Sequence, residues 1–127
     1  MPTRAPDYDE IIRVVQLYVD GHGSRDIETF KEAFHEDARI FYTDPEGTLH
    51  QNPIKDSFDW WANSMARSKG RIISVTQAGD VAGVVLGIGD PADESNQWVD
   101  FHSLIRVKGT WKITNKTATH ASRAGGV

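Results

Sequence analysis

With 127 residues, no cysteine and a formal charge of −4, the chain excludes several classes of protein at the outset. A disulfide framework, a thiolate nucleophile and a cysteine–zinc site are impossible, and the acidic balance opposes a nucleic-acid surface, which needs a basic stripe. The longest apolar runs, such as residues 81–89, are too short to cross a bilayer, and the N-terminus MPTRAPDYDE has no apolar signal core, so a single cytoplasmic domain over 1–127 with no membrane partner is expected.

Asp7 to about Asp20 reads as a helix, with Ile11, Val15, Tyr18 and His22 at helical spacing and Ile12 and Val19 widening the stripe. Pro6 and Asp7 suit its start, and Gly21 and Gly23 its stop. A second helix runs from Ser24 or Arg25 to Ala33, turning Ile27, Phe30 and Phe34 inward. Ala38–Thr43 is a strand, Asp44–Gly47 a turn and Thr48–Asn52 a short return strand. Pro53 opens a third helix over about Ile54–Ser68, with Ile54, Phe58, Trp61 and Met65 as its stripe and Gly70 as its end. Three long strands follow, about Arg71–Ala78, Val81–Asp90 and Asn96–Val107. Thr110 to about Thr119 closes the sheet. Gly83, Gly87 and Gly89 suit bends in a curved sheet. The two ends, MPTRAP and ASRAGGV, read as frayed tails. Helices grouped before an antiparallel meander make an α+β domain.

The stretch WVDFHSLIRVKGTWKITNK, residues 98–116, carries the most information. Lys108-Gly109 reads as a two-residue hairpin turn. Counting back from it pairs Leu104 with Ile113, His102 with Asn115 and Asp100 with Thr117. Alternation then puts Asp100, His102, Leu104, Ile113, Asn115 and Thr117 on one face. An acid, an imidazole and an amide beside apolar neighbours suit a pocket wall. The opposite face carries Phe101, Ile105 and Val107 with Lys112, Thr114 and Lys116. That mixed apolar face predicts a homodimer.

Three motifs support a family resemblance. They are Tyr18-Val19-Asp20-Gly21 at the end of the first helix, Ala33-Phe34-His35-Glu36-Asp37-Ala38 entering the first strand, and residues 100–107 followed by 109–116 in the hairpin. With the element order, they resemble the nuclear transport factor two-like superfamily, and within it the putative lumazine-binding family, over nearly the whole chain. The resemblance implies a cone-shaped, strongly curved antiparallel sheet closed by three N-terminal helices around a pocket, and commonly a homodimer. The superfamily hosts isomerases, dehydratases and cyclases as well as proteins without chemistry, so fold alone does not choose among them.

Asp100 and His102 lie two residues apart on one strand, about 6–7 Å along it, and touch only by leaning together. Either suits a general base. Asp100 equally suits a structural carboxylate bonded to Thr117 or to backbone. Asn115 is expected to fix the imidazole or to donate to a ligand, or simply to bond within the hairpin. Tyr18 is a core tyrosine or, as the resemblance to ketosteroid isomerase-like members implies, a phenol that steadies an oxyanion. His22 stands at the pocket mouth, or serves as a cation at the helix end. Phe34, Phe58, Trp61 and Met65 supply apolar wall. Trp60 lies about 100° round the helix from Trp61, so only one of the two is expected to roof the pocket. The five histidines show no HxH or HExxH spacing, and neither metal nor cofactor is expected. The expected guest is a small, largely apolar or aromatic molecule. It is either bound without turnover or handled by cofactor-free isomerase, dehydratase or cyclase chemistry. A dimeric interaction protein is the third possibility.

Overall fold

The first apolar stripe becomes α1, Tyr8–Gly21, which buries Ile11, Val14, Val15, Tyr18 and Val19 in a computed structural model describing residues 6–65 and 67–123, the last by its backbone. Asp7 fixes the start of this helix. Its backbone N–H donates to Gln77 Oε1 at 2.7 Å, and its carboxylate accepts from Trp111 Nε1 at 3.0 Å and from Arg106. Arg106 also pairs with Asp80. These polar contacts clamp α1 onto the sheet and set the position of Tyr18. At the other end, a Cβ on Gly21 would stand 2.4 Å from the Phe30 ring, so only glycine lets α1 approach the next element this closely.

That element, α2, spans Glu28–Ala33, starting later than the spacing predicts. Arg25 sits at φ 61° and Ser24 Oγ donates to the Gly21 carbonyl at 2.7 Å, so a turn occupies the expected first helical residues. The third helix is shorter still. A 3-10 turn over Ile54–Ser57 leads into α3, Phe58–Ala62. Gly23 N–H donates to the Trp61 carbonyl at 2.9 Å and Arg25 N–H to the Ala62 carbonyl at 2.7 Å. Those carbonyls would otherwise accept bonds from the next helical turn. Tertiary hydrogen bonds thus stop α3 where apolar periodicity continues. Met65 consequently leaves the stripe and is 91% exposed, and Gly70 lies within a strand rather than at a helix end.

The strands are β1 Phe34–Thr43, β2 Leu49–Pro53, β3 Lys69–Ala78, β4 Val81–Gly89, β5 Gln97–Val107 and β6 Thr110–His120. They form one sheet in the order β2-β1-β6-β5-β4-β3. Every neighbouring pair is antiparallel except β1 and β6, which run parallel. The sheet is therefore mostly antiparallel, as expected, and mixed through this one pair, which the antiparallel meander does not anticipate. Hairpin turns announce the local pairs, whereas no turn announces a pairing of residues 34–42 with 113–118. The glycines of β4 stay in continuous register with β5, and the irregularity against β3 falls at Ile73. Of the expected tails, 1–5 and 124–127 lie outside the described residues, and Ala121–Arg123 forms a 3-10 turn.

The β5–β6 turn forms as expected, with Lys108 at φ 51° and Gly109 at φ 83°. Val107 pairs with Thr110 and Leu104 with Ile113. The register then shifts: Ser103 faces Asn115, His102 faces Lys116 and Asp100 faces Ala118. Thr114 is the extra residue of a β-bulge, with its Oγ1 donating to the Ser103 carbonyl at 3.1 Å. The β1–β6 register breaks at the same level, between Phe34 and Arg39. One inserted residue reverses facing, so the buried side of β6 passes from Trp111 and Ile113 to Lys116 and Ala118. Asn115 and Thr117 turn to the outer side and bond each other at 2.9 Å. The expected pairs His102–Asn115 and Asp100–Thr117 are corrected accordingly.

Candidate functional site

Facing reversal brings an ammonium into the core. Lys116 is 7% exposed, and its Nζ donates to Tyr18 Oη at 2.6 Å. It also lies 3.7 Å from Asp100 Oδ2, and 4.6 Å and 4.9 Å from the ring centroids of Trp61 and Tyr18. Asp100 is completely buried, and its Oδ2 meets His102 Nε2 at 3.3 Å. The two side chains thus lean together across their separation on β5. A buried polar chain runs from His102 through Asp100 to Lys116 and Tyr18.

A concavity of about 390 Å³ opens above this chain. Tyr18, His22 and Lys116 line it from within. Trp60, Trp61 and Trp98 supply flat apolar wall, Tyr42 and Ile88 add to it, and Asn52 and Asn96 contribute amides. Loop 23–25, bonded to the end of α3, holds Trp61 over Tyr18, with ring centroids 5.5 Å apart. Behind these, Phe30 stacks on Phe58 at 5.3 Å and Phe34 meets Tyr18 edge-on at 5.4 Å.

Burial governs the electrostatics. It pushes the Tyr18 phenol well above its usual range, and the Asp100 carboxylate pushes it further in the same direction. Burial also lowers the Lys116 ammonium, with Asp100 opposing. For Asp100, burial alone would raise the carboxyl, but Lys116, His102 and Tyr18 together hold it below the ordinary value. His22 is brought down to about 4, by burial first and then by Lys116, with Asp100 opposing. It is therefore a neutral imidazole near pH 7. His22 Nε2, His102 Nδ1 and Asp100 Oδ1 are buried without a hydrogen-bond partner among the described residues.

A family model described as putative lumazine-binding matches residues 6–118. The chain belongs to the putative lumazine-binding family. Its fold is nuclear transport factor two-like. An NTF2-like protein of unknown function from Shewanella baltica OS155 is 25% identical, with 94% of this chain and 97% of that one covered at a TM-score of 0.80. Another, from Methylobacillus flagellatus KT, is 31% identical over 91% of this chain and 93% of its own, with a TM-score of 0.76. A third, from Silicibacter pomeroyi DSS-3, is 22% identical over 89% and 94%, with a TM-score of 0.71. No curated protein matches the chain.

In this lumazine-binding-family chain, Tyr18, His22 and Trp61 meet at the concavity, as the helical stripes imply. Asp100 and His102 face inward but lie behind its floor rather than on it. Phe34 and Phe58 are buried in the aromatic cluster beneath the wall. Met65 and Asn115, expected at the wall, are turned away from it, by the early end of α3 and by the bulge respectively. Trp60 and Trp61 both reach the concavity: Trp61 from the core side, Trp60 from a rim where it stays 73% exposed. Lys116, which simple alternation places on the outer face, is instead the functional residue that the register shift turns inward. No local signal marks it, because Ile113 and Asn115 stand two apart and fit plain alternation, and the bulge that reverses the facing falls at Thr114 between them. Of the remaining histidines, His50 bonds Asp44 Oδ2 at 2.9 Å and stacks on Tyr42, and His120 reaches the Ser95 carbonyl at 2.6 Å. Among the described residues, no group of three or more metal-ligating side chains could hold an ion. None of their helices is long and apolar enough to cross a membrane.

Proposed function

We propose that this chain is a single-domain small-molecule binding protein. Its guest is a flat, largely apolar or aromatic molecule, held in the concavity between α1, α3 and the inner sheet face. One observation carries the reading: a cavity of about 390 Å³ combines three tryptophan walls with a floor of buried, mutually bonded polar groups, Lys116 and Tyr18. Flat walls with a few placed polar groups are the usual make-up of a ligand site. The three tryptophans provide the test. Titration with flat aromatic compounds, lumazine among them because the family bears its name, should quench tryptophan fluorescence saturably. Native mass spectrometry of protein purified without denaturation should reveal any guest already held. Unsaturable quenching throughout, with no retained molecule, would contradict the reading.

A catalytic version of the same site is favoured by the convergence of Lys116 Nζ and Tyr18 Oη, which suits them to steady an oxyanion. In that version the base shifts from Asp100 and His102, both behind the floor, to His22 on the cavity wall. Asp100 and His102 then act as positioning residues for Lys116. We also propose that the inner face curves into a cone and that the outer face pairs two copies. Val81, Phe101, Ile105 and Val107 stand exposed together there, and Lys116 no longer adds its charge to that face. Sedimentation showing a dimer at micromolar concentration supports the pairing, and a monomer contradicts it.

A further inference from the structure

We infer that the guest bears a neutral conjugated carbonyl whose oxygen is received by the Lys116 ammonium. This deepens the proposed binding function and rests on it. An ammonium carries three N–H donors. Among the described residues, Lys116 Nζ makes one hydrogen bond, to Tyr18 Oη at 2.6 Å. Asp100 Oδ2, at 3.7 Å, is a charge partner beyond hydrogen-bond length. The rings of Trp61 and Tyr18 flank the ammonium but do not replace an oxygen acceptor. A buried donor without an acceptor is costly. Lys116 also lines the cavity, so an acceptor on the guest meets it directly.

Charge balance selects the kind of acceptor. Asp100, completely buried, already supplies the counter-charge to Lys116. A carboxylate on the guest would set two anions against one ammonium on a floor largely screened from water, which such a site disfavours. A hydrocarbon would leave the ammonium donors unmatched. A carbonyl conjugated with a ring system satisfies both constraints. It accepts a charge-assisted hydrogen bond without adding net charge, and its flat frame lies among Trp60, Trp61 and Trp98. Ketones, quinones, enones and cyclic amides on an aromatic frame all fall within this class.

Three matched probes separate the outcomes: 2-acetylnaphthalene, 2-ethylnaphthalene and 2-naphthoate, each titrated against intact protein by tryptophan fluorescence at pH 7. The ketone should bind on the order of tenfold tighter than the ethyl compound, the increment of a hydrogen bond to a charged donor, and tighter than the carboxylate. In the double variant D100N/K116M, which removes both charges together, the ratio of ketone to ethyl affinity should fall to about one. Near-UV circular dichroism reports whether that variant is folded, and the wild-type series decides the matter without it. Tightest binding by the carboxylate, or no preference of the ketone over the ethyl compound, would overturn the inference. So would a ketone preference that persists in the folded double variant. Failure of all three probes, the hydrocarbon included, would overturn the aromatic-cavity reading itself and this inference with it.

Discussion

The β5–β6 hairpin has two halves that meet at Thr114. On the turn side, Leu104 faces Ile113 and Arg106 faces Trp111, and apart from Arg106, paired with Asp7, the inner surface is apolar. Beyond the bulge, His102 faces Lys116 and Asp100 faces Ala118, and the same surface carries an acid, an imidazole and an ammonium. Both halves belong to the same two strands and are covered by the same helix. The difference is one unpaired residue. A bulge here works as a device for changing which side chains a strand presents without ending the strand. The near half gives α1 its anchorage, through Asp7 with Arg106 and Trp111. The far half gives the cavity its polar floor.

The two halves should therefore fail differently when perturbed. The largest effect is expected in the far half. K116M removes the ammonium and leaves Asp100 buried beside uncompensated atoms, at a cost of about 3–5 kcal/mol. D100N/K116M should recover most of that loss. Urea unfolding of the three proteins measures it, and additive losses would show that the two groups are not a pair.

The cavity over the far half, where His22 at the end of α1 faces Lys116, should also be sensitive to acid. His22 has its pKa lowered to about 4 from an ordinary 6.5, so the unfolded chain binds the proton more readily. Stability should fall as pH drops from about 6.5 towards 4, by roughly 2–3 kcal/mol after allowance for partial solvent screening. H22Q should flatten that part of a stability-versus-pH curve, leaving the slope contributed by carboxylates at lower pH. A curve of unchanged shape would mean that His22 is not held neutral by its surroundings.

The near half should respond least. Gly109 stands at φ 83°, where a side chain is strained. G109A should cost about 1–2 kcal/mol and leave the fluorescence titrations described above essentially as they were. A large loss of ligand affinity in G109A would show that the bulge does not insulate one half from the other.

Much of this organisation is legible in the residues. Helical spacing of Ile11, Val15 and Tyr18 and the Lys108-Gly109 turn specify α1 and the β5–β6 hairpin, because each is a local signal. The parallel pair β1–β6 is illegible for the opposite reason, since about half of the chain separates the two segments. The end of α3 is set by Gly23 and Arg25 capturing the carbonyls of Trp61 and Ala62, contacts with no local signature. Alternation from the turn correctly turns Asp100 and His102 inward. It fails for Asn115 and Lys116 because a β-branched Thr114 in a strand gives no hint that it is the unpaired residue.

The polar floor of the cavity stands on the inward position of Lys116, which proton NMR tests most directly. Held over the rings of Trp61 and Tyr18, the ε-methylene protons of Lys116 should be shifted upfield by ring currents and should show nuclear Overhauser contacts to both rings. Lys116 resonances at ordinary solvent-exposed positions, with the side-chain amide of Asn115 contacting Tyr18 instead, would contradict the bulged register and the site built on it.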